Sequence, residues 1–433
     1  MRNPYITGAY VAGNNHYGRG HLLDHLLRSE GRAYWVVGTR RIGKTSLLRQ
    51  LELLAAAGDR YVPLFWDLQG CGSLTRMGRY LGDAVRDNPE RFEPLGVTDA
   101  MLTEEDPMTL LGILRRLVRR AGRELLLLGD EIEVLIAIAR DEPEAAQRLH
   151  RQLTGGVGLR VIFASTRQLY RLHDVCCDWP TSPFLSGFDM SQTLGSLEPE
   201  AAEALITQAH APVGCRVNVG AEVVAAITTA TNNHPLLLQL LCSRIFREDG
   251  TLRTPGVEDL RVDPILAGFF EHDFRQLTQT DRRIVLAVHR SGPTERADLT
   301  GIGGDNPAEL AQRVQNLEAL GYLRCSADRI AVGNLFLASW LDAASDFLEA
   351  LPASQTSERA MRTALARQSS ESTASLVIQL NARRARLIEL EGVRAREFLA
   401  VSPETLEEMA ELQVEITEFR GLLDQRQTEA GAQ

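Results

Sequence analysis

The stretch GRAYWVVGTRRIGKTSLLRQ, residues 31–50, decides the fold that we predict for this chain. Its apolar run at 33–37 is typical of a buried strand, and leucines at helical spacing follow residue 45. Between them, residues 38–45 match the pattern GxxxxGK[ST], whose glycines let main-chain N–H groups converge on phosphate oxygens. Strand, glycine-rich loop and helix in this order predict a P-loop; a chance match in a tight turn is the alternative.

The residues of this loop have predicted roles toward a nucleoside triphosphate. Lys44 reaches the β- and γ-phosphates, and the hydroxyl of Thr45 binds Mg²⁺. The start of the helix adds a partial positive charge. The predicted phosphate-binding residues are Gly38, Thr39, Arg40, Arg41, Ile42, Gly43, Lys44, Thr45 and Ser46.

The charge composition also singles out Lys44. Of the 47 basic residues of the chain, 46 are arginine and Lys44 is the one lysine. Arginine replaces lysine readily on a solvated surface, but its wide planar guanidinium does not fit where a compact ammonium must sit between phosphate oxygens. The one lysine therefore stands where the motif requires an ammonium group.

Two acidic residues follow a second apolar run. Residues 123–131, RELLLLGDE, read as a buried strand that ends in Asp130 and Glu131. We predict that Asp130 belongs to the Mg²⁺ shell and that Glu131 is the general base for the attacking water. Gly129 interrupts the apolar run and leaves the position of Asp130 uncertain by one residue. A surface acid pair after a core strand is the alternative.

Further apolar runs predict the rest of the sheet. Residues 61–67, 159–164 and 192–197 read as strands, with helical stretches between them. Arg167 follows the run at 159–164 and is a candidate for stabilising charge in the transition state; an ordinary loop arginine is the alternative. The alternation predicts an α/β fold with a parallel sheet and its ligand at the carboxyl edge. A strand between P-loop and acid pair is typical of additional-strand P-loop ATPases.

Length and composition exclude several classes of protein. The 433 residues suggest about three domains, and 44% hydrophobic with 24% charged residues is an ordinary folded composition. No apolar run approaches the roughly 20 residues of a membrane span, and the N-terminus lacks an export or transit pattern, so we expect a cytoplasmic protein with no membrane partner. The net charge of −10 argues against broad binding to nucleic acid. The six cysteines have neither zinc nor disulfide spacing.

Five stretches of the sequence together resemble one family of proteins. They are NPYITGAYVAGNNHYGRG (3–20), GTRRIGKTSLLRQL (38–51), YVPLFWDLQG (61–70), LLLLGDEIEVL (125–135) and TNNHPLLLQLLC (231–242). Together they resemble the STAND branch of signalling ATPases, close to AAA+, and most of all a bacterial and archaeal set of AAA-like ATP-binding proteins. The resemblance spans roughly residues 3–345. It implies ATP and Mg²⁺ as ligands, slow or regulatory ATP hydrolysis, and signalling that includes bacterial defence.

The resemblance also implies roles for residues outside the P-loop. Tyr17 and Arg19 match the stretch that packs beside the adenine. His234 and Pro235 match the GxP signature, whose proline touches the base and whose flanking residues report the nucleotide to the next domain. An ordinary helix start with proline in its first turn is the alternative for this pair.

The chain divides into five predicted regions. Residues 1–197 are the P-loop domain, 198–255 a helical lid, and 256–347 a winged helix of three helices and a β-hairpin. Residues 348–375 are a linker rich in Ser, Thr and Ala. Residues 376–427 are a C-terminal helical hairpin with an apolar stripe, and it resembles the adaptor that recurs beside STAND ATPases. Such a hairpin should dock on another chain, although capping of the same chain is the alternative.

The predicted recognition helix of the winged helix is a poor match to DNA. In NPAELAQRVQNLEALG, residues 306–321, Arg313 stands against Glu309 and Glu318. This is a weak electrostatic footprint for phosphate, so an intramolecular or protein-binding role is favoured.

Three functions are compatible with these features. The favoured one is a switch in which ATP and Mg²⁺ hold one arrangement of the domains and control self-assembly and the binding of a protein effector or sensor through the hairpin or the winged helix. The second is a DNA-binding AAA-like ATPase, similar to a replication initiator or transposition regulator. The third is a scaffold that binds nucleotide without useful turnover, because Asn232 and Gly20 depart from the family's glycine and acid.

Overall fold

The computed structural model describes residues 2–103, 106–155, 157–166, 172, 175–176, 187–189, 191–302, 307–326 and 329–349. Arg167, the linker beyond residue 349 and the hairpin at 376–427 lie outside the described residues, and what was predicted for them stays a prediction.

A parallel sheet of five strands carries the P-loop. The strands are β1 (Ala33–Val37), β2 (Tyr61–Asp67), β3 (Glu124–Asp130), β4 (Leu159–Ser165) and β5 (Gln192–Thr193). Across the sheet their order is β2-β3-β4-β1-β5. This confirms the predicted α/β fold. The β5 strand is shorter than its predicted range. Along the chain β2 lies between P-loop and acids, but in the sheet it lies at the edge, and β4 separates β1 from β3.

Helices cover both faces of this sheet, as the apolar character of its parallel strands requires. Alternate residues of β1 enter two different cores: Trp35 packs with one, whereas Tyr34 and Val36 pack with the other. The helices are α1 (Gly20–Arg28), α2 (Lys44–Ala56), α3 (Leu74–Arg86), α4 (Pro89–Phe92), α5 (Pro107–Arg120), α6 (Val134–Asp141) and α7 (Pro143–Thr154). The first core is closed by α3 to α7, and the second by α1 and α2.

Gly129 lies in β3 directly before Asp130 and opposite Phe163 of β4. A Cβ atom at Gly129 would come within 2.6 Å of the Phe163 ring. Glycine is therefore needed to make room for this ring in the core. Asp130 is the last residue of β3, which removes the uncertainty about its position.

The region predicted as a helical lid, residues 198–255, contains three helices: α8 (Pro199–Ile206), α9 (Ala221–Thr231) and α10 (Pro235–Ile245). They share a core with two tyrosines of the N-terminal segment, Tyr5 and Tyr17. Their assignment to a lid stays a prediction.

The last described region contains two helices that the sequence analysis did not predict, α11 (Pro264–Arg275) and α14 (Leu335–Glu349). Between them lie α12 (Gln279–Ser291), α13 (Pro307–Ala319) and the antiparallel hairpin of β6 (Leu323–Ser326) and β7 (Arg329–Val332). One of the three helices expected in the winged helix is instead a single 3₁₀ turn, Arg296–Leu299. The order of elements agrees with the winged-helix prediction, which remains a prediction. Within the described part of the chain, no helix is long and apolar enough to cross a membrane.

Candidate functional site

The P-loop connects β1 to α2 through a backbone that only a few residue types tolerate. Gly38 is tightly packed, since a Cβ there would come within 2.8 Å of both the Ile42 side chain and the Leu194 carbonyl oxygen. Gly43 has φ 102°, a left-handed conformation that suits glycine. Arg41 adopts φ 62°, which is strained for a residue with a side chain. Such strain is common where a loop is shaped for a ligand.

Lys44 is held within the loop that it follows. Its Nζ donates to the carbonyl oxygens of Gly38 at 3.1 Å and Thr39 at 3.0 Å. The side chain of Lys44 is only 7% exposed. A compact ammonium between two carbonyl oxygens agrees with the prediction that this position requires lysine.

Thr45 and Asp130 meet although 85 residues separate them along the chain. The Thr45 hydroxyl donates to Asp130 Oδ2 at 2.5 Å, and the main-chain N–H of Glu131 donates to Asp130 Oδ1 at 3.0 Å. Burial raises the pKa of Asp130, while the Thr45 hydrogen bond and the Lys44 charge oppose the rise. A hydroxyl and a carboxylate at this separation are oxygen ligands that suit Mg²⁺, so these residues fit the predicted ion.

Glu131 turns out of the strand into the cavity described below. Its φ of 52° is left-handed, which is unusual for glutamate and redirects its side chain away from the line of β3. Burial and the charge of Glu133 raise the pKa of Glu131. A carboxylate with a raised pKa is a stronger base toward water, as its predicted role requires.

A cavity of about 420 Å³ lies over the P-loop, within the usual size range of ligand pockets. Its other walls are the N-terminal segment, α8, α10 and α11. Of the predicted site residues, Gly38, Thr39, Asp130 and His234 lie outside its lining. The predicted residues that line it are Tyr17, Arg19, Arg40, Arg41, Ile42, Gly43, Lys44, Thr45, Ser46, Glu131 and Pro235.

One wall of the cavity is built around Tyr17. The Tyr17 ring stacks on the His210 imidazole, with centroids 4.4 Å apart and planes 15° apart. Burial raises the pKa of the Tyr17 hydroxyl, while a backbone hydrogen bond at His210 opposes the rise. Arg19 donates to the carbonyl oxygens of Gly195 and Ser196, so it braces this wall. Nothing in the local sequence pattern distinguishes His210, so its contact with Tyr17 is visible only in the fold.

His234 and Pro235 occupy different surroundings. Pro235 is the first residue of α10 and lines the cavity, whereas His234 faces a small second cavity beside Thr39 and Asp273. Burial, aided by the Arg19 charge, lowers the pKa of His234 to about 4, so the imidazole is neutral at pH 7. The pair is thus both a helix start and, through Pro235, part of the cavity wall.

Asn232 departs from the family pattern without distorting the chain. It ends α9 with φ 47°, the left-handed conformation that glycine supplies at such positions and that asparagine also adopts. The departure therefore preserves the backbone turn that leads to Pro235.

The N-terminal segment forms a strap across the cavity. The main-chain N–H of Val11 donates to Ser46 Oγ at 3.1 Å, on the P-loop helix. The N–H of Ile6 donates to Gln239 Oε1 at 3.0 Å, on α10. The strap thus ties the sheet domain to the helices that follow it.

Helix α11 contacts the P-loop in a way that no pattern in the sequence predicts. Asp273 Oδ2 accepts a hydrogen bond of 2.9 Å from the main-chain N–H of Arg40 in the P-loop. The guanidinium of Arg41 lies over the Phe269 ring, 4.7 Å from its centroid. Burial raises the pKa of Asp273 to about 6. A helix start was readable from Asp263, which caps α11 ahead of a proline, but the contact with the P-loop was not.

Solved structures resemble this chain, whereas no protein-family model and no curated protein matches it. The Walker-type ATPase PABY2304 of Pyrococcus abyssi is 15% identical, with a TM-score of 0.57 over 78% of this chain and 99% of that one. The ORC2 protein of Aeropyrum pernix is 14% identical, with a TM-score of 0.45 over 76% and 91%. Cdc6p of Pyrobaculum aerophilum is 12% identical, with a TM-score of 0.33 over 76% and 91%. At such identities the first likeness shows the fold alone, that of a P-loop ATPase.

Proposed function

We propose that this chain is an ATP-dependent switch of the STAND type, which binds ATP with Mg²⁺ and hydrolyses it slowly. One observation supports this most: the P-loop and Glu131 line a single cavity whose other walls include α10 and α11. A nucleotide in that cavity contacts the sheet domain and the helical region together. The presence of the nucleotide and its number of phosphates then favour one arrangement of the sheet domain relative to the helical region.

Each residue of the site has a definite task in this proposal. The P-loop N–H groups and Lys44 bind and orient the phosphates, and Glu131 accepts a proton from the attacking water. Thr45 and Asp130 would hold Mg²⁺, which neutralises phosphate charge when bound. Arg167 would add positive charge in the transition state. Tyr17 and Pro235 would pack against the base.

The partners we propose are a second copy of the chain and a protein effector or sensor. The resemblance to STAND proteins supports this, as does the predicted hairpin at 376–427, whose apolar stripe needs a covering surface. A role in bacterial defence rests on the same resemblance. The likeness to a Walker-type ATPase supports ATP hydrolysis.

The rival proposal, a DNA-binding ATPase, has less support from the described residues. Arg313 of the predicted recognition helix is 1% exposed, and it pairs with Asp281 at 3.1 Å and Glu309 at 2.8 Å. Its charge is therefore directed into the protein and is not offered to a phosphate backbone.

Replacement of Lys44 tests the switch. We expect Lys44→Ala to abolish binding of ATP, measured by titration calorimetry, and with it any ATP-dependent change in particle mass, measured by light scattering. Arg28→Ala is the matched control, because it removes one positive charge from an exposed position on α1. Assembly that responds to ATP equally well in Lys44→Ala would overturn the switch.

A second measurement separates the switch from a scaffold without turnover. Release of phosphate is compared in the wild type and in Glu131→Gln, which keeps the size of the side chain but removes the base. We expect slow release in the wild type and a loss of at least about 100-fold in the variant, the usual scale of general base catalysis. ATP binding without any phosphate release in the wild type would favour the scaffold.

A further inference from the structure

Helix α11 contacts two consecutive residues of the P-loop, Arg40 and Arg41. Phe269 and Asp273 are four residues apart and so lie on one face of the helix. Asp273 binds the Arg40 main-chain N–H at 2.9 Å, and Phe269 packs against the Arg41 guanidinium. The loop conformation, including the strained φ of Arg41, is therefore coupled to the position of α11.

The Asp273 contact places a negative charge beside an anion-binding loop. In P-loops the main-chain N–H groups donate hydrogen bonds to phosphate oxygens. Here the N–H of Arg40 donates to the Asp273 carboxylate instead. Lys44 is close enough for its charge to act on Asp273 as well. Arg40 lines the large cavity and also the small cavity that contains Asp273. The carboxylate and a bound nucleotide would thus lie on two sides of the same loop.

A neighbouring side of α11, one residue further round the helix, is packed against α14. Trp340 of α14 contacts both Phe270 and Phe274, with ring centroids 5.8 Å and 5.5 Å apart. Beyond α14 the chain continues into the predicted linker and hairpin. A change in how α11 meets the P-loop therefore acts directly on the helix that leads to the C-terminal region.

From these contacts we propose that Asp273 makes the site discriminate between nucleotides by charge. Its carboxylate disfavours a triphosphate relative to a diphosphate, and the added phosphate in turn loosens α11 from the P-loop. This inference rests on the proposed function, since it assumes that the cavity binds adenine nucleotides. Such coupling is reciprocal: whatever holds α11 against the loop must also weaken the binding of ATP.

The first test compares affinities for ADP and for the non-hydrolysable ATP analogue AMP-PNP, each with Mg²⁺, by titration calorimetry. In Asp273→Asn the side chain keeps its size and an acceptor oxygen for Arg40, but the charge is lost. We expect the ratio of the AMP-PNP Kd to the ADP Kd to fall about tenfold, the order of one charge interaction across several ångströms of protein. Glu271→Gln is the control, because it removes an equal charge from the same helix where the side chain pairs with Arg275 instead.

The second test uses the wild type only and does not depend on how the variant folds. Amide hydrogen exchange over residues 264–275 is expected to be faster with AMP-PNP than with ADP. An unchanged affinity ratio in Asp273→Asn, or equal exchange with the two nucleotides, would overturn the inference and leave the proposed function standing. Failure of the wild type to bind either nucleotide would overturn the proposed function and the inference with it.

Discussion

At the scale of single residues, Gly129 shows how an absent side chain sets the position of a functional carboxylate. The Phe163 ring occupies the space where a Cβ would lie. We expect Gly129→Ala to lower the free energy of unfolding by about 1–3 kcal/mol through overpacking, measured by urea denaturation. It should also shift Asp130, which is adjacent, away from Thr45 and weaken the binding of Mg·ATP.

Gly112→Ala is the matched control for this change. Gly112 lies within α5, and a Cβ there meets nothing within 4 Å. Alanine favours a helix over glycine by roughly 1 kcal/mol, so this variant should be slightly more stable than the wild type. A Gly129→Ala protein as stable as Gly112→Ala would contradict the packing explanation.

At the scale of elements, the contact between α11 and the P-loop makes stability depend on pH. The pKa of Asp273 rises from 3.8 in the unfolded chain to about 6 in the fold, and the charged groups facing it from the P-loop are Arg40 and Lys44. The folded state then holds the proton more tightly, so this stabilisation is full below pH 3.8 and is lost as pH rises through about 6.

Asp273→Asn should remove this dependence. Relative to the wild type, the variant is expected to have a higher melting temperature at pH 8, with the difference vanishing near pH 4, measured without nucleotide by calorimetry. Glu271→Gln, on the same helix but paired with Arg275, should show no such trend. A difference between Asp273→Asn and wild type that is the same at both pH values would rule out this role of the carboxyl group.

At the scale of the whole molecule, the distribution of arginine decides whether the last region binds DNA or packs within the protein. Arg313 joins α13 to α12 through Asp281, which is fully buried. We expect Arg313→Gln to cost about 3–5 kcal/mol of stability, because it takes the cationic partner from a buried carboxylate. Affinity for DNA in low-salt gel shifts should be negligible before and after the change.

The exposed Arg283 of α12 supplies the comparison for that prediction, since Arg283→Gln removes the same charge from the surface of the same region. It should leave stability within about 0.5 kcal/mol of the wild type. Tight, salt-dependent DNA binding that Arg313→Gln abolishes while the protein stays folded would instead support the replication-initiator alternative.

The sequence by itself determined the P-loop, the strands that flank it and the acid pair. These features are local. The spacing of apolar residues predicts a strand or a helix. Lys44 stands out because arginine cannot replace a compact ammonium between phosphate oxygens. The bounds of β1 and β2 agree with the prediction for the same reason. Asn232 also follows local rules, because a left-handed helix end is a property of one residue.

Only the tertiary structure decided which of these parts meet. The Thr45–Asp130 pair, the stacking of Tyr17 on His210 and the grip of Asp273 on Arg40 each join residues that are far apart in the chain. The spacing of apolar residues in the sequence does not predict such contacts, because they depend on strand order and on how helices pack over the sheet. In the sequence, Asp273 is an acidic residue with no distinguishing pattern around it. The fold places its carboxylate against the main-chain N–H of Arg40 in the P-loop, and its proposed role depends on that contact.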